Sequence, residues 1–136
     1  MKKIIIMMLA ALMLGTTSVV AVEAIGNEEN GVAPCWVNMS SVDVRVNFSG
    51  TSGTASVTVD RIFGGTSLLE AALTVYRKVG NTWVYVTSTS GSSTRQLNLS
   101  VNFSGVNGNT YKAVADVTAY GPEGSESDSI TEYADC

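Results

Sequence analysis

From Val42 the chain alternates. Val42, Val44, Val46 and Phe48 are apolar, while Asp43, Arg45 and Asn47 between them are polar, the period-two pattern of a strand with one buried face. The same pattern returns in TASVTVDRIF, where Ala55, Val57 and Val59 alternate with Ser56, Thr58 and Asp60. In LLEAALTVYRKV the run Leu68 to Leu73 is rich in helix formers, but Leu69, Ala71, Leu73 and Val75 alternate, so a strand is expected there too. A GN dipeptide, Gly80 and Asn81, then separates VYRKV from TWVYV, which is the signal of a tight hairpin. Beyond the Ser, Thr and Gly stretch STSGSST, read as a break between strands, Leu97, Leu99, Val101 and Phe103 alternate, followed by Tyr111, Ala113, Ala115 and Val117. A last, weak strand in ESDSITEY has only Ile130 and Tyr133 to bury. Seven strands with turn residues between them predict an all-β, antiparallel sandwich, with a small barrel as the alternative.

The pentapeptide VNFSG occurs twice, at Val46–Gly50 and Val101–Gly105. A duplication would need two units of about 55 residues, each too small to hold a core unaided, and the likeness fades outside the pentapeptides. The copies are therefore expected to be two strand ends within one domain, each burying a Phe just before the chain leaves the sheet.

The N-terminus has Lys2 and Lys3, an apolar run from Ile4 to Leu14, and small residues up to Ala24. This is the layout of a secretory signal peptide cleaved after Ala24, with Ala21 as the alternative; the run is short for a membrane span. The expected organisation is a leader over residues 1–24, a loose acidic segment over 25–34, and one β domain over 35–136 of the 136-residue chain. The mature protein would be extracellular. Loss of Lys2, Lys3 and Glu23 removes two positive charges and one negative, taking the net charge from −4 to about −5. That balance argues against a nucleic-acid partner, and membrane contact is expected only through the leader.

Candidate chemistry is sparse. The sequence has no His, which removes the commonest general base and the commonest metal ligand. The late acids Asp116, Glu123, Glu126, Asp128, Glu132 and Asp135 lack the ordered spacing of a calcium loop and read as a solvated edge. No pair among Asp43, Asp60, Glu70 and Asp116 can be brought together from sequence to cleave a glycoside. No metal, cofactor or enzymatic activity is expected. Two Cys in an exported chain allow one internal pairing, Cys35 with Cys136, worth about 4 to 5 kcal/mol in the chain-entropy model for a loop of about 100 residues. Free thiols or an intermolecular link are the alternatives.

The hairpin is the most informative surface. With Gly80 and Asn81 as the loop, Val79 faces Thr82, Lys78 faces Trp83, Tyr76 faces Tyr85 and Thr74 faces Thr87. Leu73, Val75, Val84 and Val86 then point to the core. Tyr76, Lys78, Trp83 and Tyr85 are left outside as an aromatic strip, suited to a protein or a glycan, or simply covering the sheet. A three-residue loop would turn Trp83 and Tyr85 inward.

The stretch GNTYKAVADVTAYGPEGSESDSITEY resembles the last two strands of fibronectin type III-like domains, in which a Gly shortly before a Tyr opens the penultimate strand. That resemblance implies an immunoglobulin-like sandwich and gives Tyr111 the role of the tyrosine-corner residue, its hydroxyl bonded to nearby backbone. The layout of leader, single sandwich and Tyr-Lys-Ala strand is also similar to small exported proteins of Gram-positive gut bacteria, a group that implies no particular activity. The chain departs from true immunoglobulin domains at Ala113, where their second Cys would stand, and at Trp83, which falls in the hairpin. The implied function is a secreted, non-catalytic module acting through the hairpin face or a sheet edge on an unknown protein or on itself, or alternatively a carbohydrate-binding protein stacking sugars on Trp83, Tyr85 and Tyr76.

Overall fold

A computed structural model describes residues 36–136. Its strands are β1 (Met39–Ser49), β2 (Ser52–Arg61), β3 (Leu68–Val79), β4 (Thr82–Ser93), β5 (Leu97–Ser104), β6 (Thr110–Gly121) and β7 (Gly124–Asp135), and the described residues contain no helix. They form two antiparallel sheets, three-stranded β1-β2-β5 and four-stranded β4-β3-β6-β7. The expected β-sandwich is the observed one. Val44, Val46, Ala55, Val57, Val59 and Leu97 of the first sheet are buried with Leu69, Leu73, Val75, Ala113, Ala115, Val117 and Ala119 of the second. The row of alanines along β6 leaves room for the branched side chains opposite, which is how a thin two-layer core fills without voids. LLEAALTVYRKV is all strand, because the alternation of Leu69 to Val75 finds a partner strand on each side.

The two VNFSG copies lie on either side of β2. β2 pairs with both β1 and β5, so Val46, Ala55 and Val101 share one row and Phe48, Gly53 and Phe103 share the next row but one. Phe48 and Phe103 meet edge-on at 5.6 Å, and each packs on Tyr111, at 5.1 and 5.5 Å. Gly53 makes that meeting possible: a Cβ there would stand 2.6 Å from the Phe103 ring and 2.8 Å from Phe48. A glycine inside a strand marks such a close approach. The repeat is thus one feature used twice in one sheet.

Tyr111 is buried, and its hydroxyl accepts the Val106 N–H at 2.8 Å, so a ring end that would otherwise be an unsatisfied buried polar group ties the β5–β6 connection to the core. At the far end of the sandwich Asn38 plays a similar linking role. Its carbonyl accepts from Ile62 N at 3.0 Å and from the Thr66 hydroxyl, and its side chain lies directly over Gly121.

Several local expectations change. STSGSST is mostly strand, since β4 runs on to Ser93 opposite Leu69; twelve residues of β3 offer backbone partners whatever the side chains are. A bulge between Tyr76 and Val75 on the β4 side moves Thr74 opposite Ser88 rather than Thr87. Val84 faces the core side beyond its rim and stays 41% exposed. Tyr133 points outward at 58% exposure, and β7 packs inward instead with Ile130 and Ala134. β2 ends at Arg61, leaving Phe63 in the following loop. The leader, the acidic segment and Cys35 lie outside the described residues.

Candidate functional site

The hairpin loop is the two-residue one. Val79 pairs with Thr82, Lys78 with Trp83 and Tyr76 with Tyr85. Gly80 has φ 63° and no non-glycine among the described residues has positive φ, the signature of a type II′ turn, whose twist matches that of the flanking strands. This register sends Tyr76, Lys78, Trp83 and Tyr85 to the outer face of the four-stranded sheet, with Tyr85 59% exposed.

Two residues that the sequence reading left out join them. Tyr76 pairs on its other side with Lys112, and Lys112 pairs with Tyr133. One row therefore crosses the whole sheet as Tyr85, Tyr76, Lys112 and Tyr133. Trp83 leans over this row. Its ring lies 6.0 Å from that of Tyr133, with the Lys112 ammonium 4.6 Å from its centroid and the Lys78 ammonium 5.9 Å away. Lys112 also stands 5.3 Å from the Tyr76 ring centre. Such cation–π contacts contribute about 0.5 to 2 kcal/mol each, more as water is excluded. The outcome is a raised cationic and aromatic patch. Lys112 was within reach of sequence reasoning, since it is the outward residue between the buried Tyr111 and Ala113. Its place beside Tyr76 was not, because β3 and β6 are joined only by pairing.

The opposite end of the same face is different. Glu70, Ala72, Ser90, Ser92, Asp116 and Thr118 line a shallow depression of about 430 Å³. Tyr120 donates its hydroxyl to Glu70 at 2.9 Å, and that bond, together with the carboxylate charge, raises the phenol above its usual 10.0. Glu70 and Asp116, on neighbouring strands, stand at this end, and Asp43 and Asp60 belong to the other sheet.

Two of the late acids hold the segment before β1. Glu126 accepts three backbone N–H bonds, from Val37, Asn38 and Met39 at 2.7 to 2.9 Å, and Asp128 accepts from the Trp36 indole at 2.9 Å. Partial desolvation pushes the Glu126 carboxyl up, but the three donors outweigh it and hold the group below its usual 4.5. Among the described residues no group of three or more His, Cys, Asp or Glu is placed to hold a metal ion. Cys136 ends the chain half-buried, its Sγ 3.7 Å from the Gly50 carbonyl, at the opposite end of β7 from Glu126.

No protein-family model matches the chain. No curated protein matches it either. A solution structure of R. palustris CsgH is similar over 69% of this chain and 89% of that one, with 16% identity and a TM-score of 0.44. A likeness at that level carries nothing about function.

Proposed function

We propose that this chain is a secreted, non-catalytic interaction module that engages its partner through the outer face of the four-stranded sheet. The observation that carries this reading is the contiguous patch of Tyr76, Trp83, Tyr85 and Tyr133 with Lys78 and Lys112, in which Tyr85 and Tyr133 remain 59% and 58% exposed. Exposed Trp and Tyr side chains are the composition of energetic centres in protein interfaces, and the two lysines add charge that orients a partner. The order β1-β2-β5 against β4-β3-β6-β7 and the Tyr111–Val106 bond support a fibronectin type III-like sandwich as the scaffold. The absence of His from the sequence supports a non-catalytic role, and the leader over residues 1–24 supports export.

Carbohydrate binding on the same patch is the second reading, favoured by the side-by-side Trp83 and Tyr133 rings. A sugar platform, however, needs free ring faces, and Lys112 stands over both Trp83 and Tyr76. Both readings meet one test. Mature protein and the Tyr85→Ala/Tyr133→Ala variant are screened by surface plasmon resonance against a panel of extracellular proteins and soluble polysaccharides. Saturable binding to a protein, lost in the variant at unchanged melting temperature, is the expected result. A polysaccharide hit lost in the variant moves the assignment to the second reading. Binding that survives the double substitution overturns the patch as the site.

A further inference from the structure

The outer face of the four-stranded sheet is complementary to itself. Thr74 of β3 pairs with Val114 of β6 at the middle of the face. Lys78 and Glu70 lie four residues either side of Thr74 on β3, and Lys112 and Asp116 lie two residues either side of Val114 on β6. β3 and β6 are antiparallel and are the two inner strands, so both lysines fall at one end and both acids at the other.

We propose that two copies of this chain associate face to face about a two-fold axis running along the Thr74–Val114 row. That rotation sets Lys112 against Asp116 of the second copy and Lys78 against Glu70 of the second copy, each contact formed twice. It also sets the raised rings over the depression: Tyr76 comes opposite Ala72 of the second copy, and Tyr85 opposite Ser90, because Ala72 and Ser90 share a row with Asp116. Symmetric dimers use one patch twice, so the patch must be self-complementary, and here shape and charge agree on the same axis. A two-fold axis along the strands would instead bring lysine to lysine and acid to acid. Four strands about 4.8 Å apart and about 30 Å long present roughly 550 Å² per copy, near the lower end for a specific interface. The expected dimer is therefore weak, concentration-dependent and salt-sensitive.

This inference rests on the reading of the outer face as an interaction surface, and the test separates the two. Sedimentation equilibrium of the mature chain is expected to show a monomer–dimer equilibrium that weakens as salt rises from about 50 to about 500 mM. Glu70→Lys/Asp116→Lys leaves the rings and both lysines in place and is expected to raise the dimer Kd at least about tenfold. Mixed one to one with Lys78→Glu/Lys112→Glu, it should form a heterodimer that neither variant matches alone. If the second variant does not fold, the first with its thermal melt decides. A wild type that stays monomeric at about 1 mM, or a dimer indifferent to Glu70→Lys/Asp116→Lys, overturns the proposal. A monomer that still captures a partner through Tyr85 and Tyr133 leaves the interaction reading intact, whereas a monomer with no such binding ends both.

Discussion

Two aromatic clusters stand on opposite sides of the four-stranded sheet. On the inner side Phe48, Phe103 and Tyr111 meet within 5.6 Å of one another, closed over a glycine and with the one polar group, the Tyr111 hydroxyl, bonded to backbone. On the outer side Trp83 and Tyr133 lie 6.0 Å apart with Tyr76 and Tyr85 on the same face, but lysine stands over Trp83 and Tyr76 while Tyr85 and Tyr133 stay exposed. Both clusters are products of strand register. The inner one spends its aromatic surface on folding, and the outer one leaves Tyr85 and Tyr133 in solvent.

The comparison breaks most decisively at Tyr111. Tyr111→Ala is expected to cost about 3 to 5 kcal/mol in urea unfolding through the cavity it leaves, and Tyr111→Phe about 1 to 2 kcal/mol through the unpaired Val106 N–H. Gly53→Ala should cost about 1 to 3 kcal/mol by forcing the Phe rings apart, measured the same way; a neutral result would mean that the rings part easily. Trp83→Ala, on the outer cluster, is expected to cost only about 1 kcal/mol. Tyr85→Ala should stay within about 0.5 kcal/mol while abolishing partner binding. An outer substitution as damaging as an inner one would show that the outer rings are structural after all.

A pH series sharpens the picture away from both clusters. The Glu126 carboxyl has a native pKa below its usual 4.5, so its contribution is complete above that value and is lost as pH falls through the lowered native pKa. The melting-temperature gap between wild type and Glu126→Gln is therefore expected to be largest near neutral pH and to close in acid. A gap that persists at pH of about 2 would assign the effect of Glu126 to packing rather than charge.

Alternation made the strands legible, since period two survives wherever one face of a strand is buried. It failed at Ser88 to Ser93, where the side chains carry no apolar signal and the strand exists because β3 extends alongside it. It failed differently at Tyr133, where ring and isoleucine both look like core and only the register of β7 on β6 sends one out and the other in. The Glu126 clamp on Val37, Asn38 and Met39 had no signal, because backbone donors look alike in every sequence.

By itself the sequence determined the all-β class and the hairpin at Gly80 and Asn81, because these depend on neighbours within a few residues, while the face its rings take waited on the choice between a two- and a three-residue loop. Only the tertiary structure decided that the VNFSG copies flank Gly53, that Lys112 and Tyr133 complete the patch, and that lysines and acids fall at opposite ends of one face. Each of those depends on pairing between strands remote in the chain, whose register is set by burying a common core rather than by any local preference.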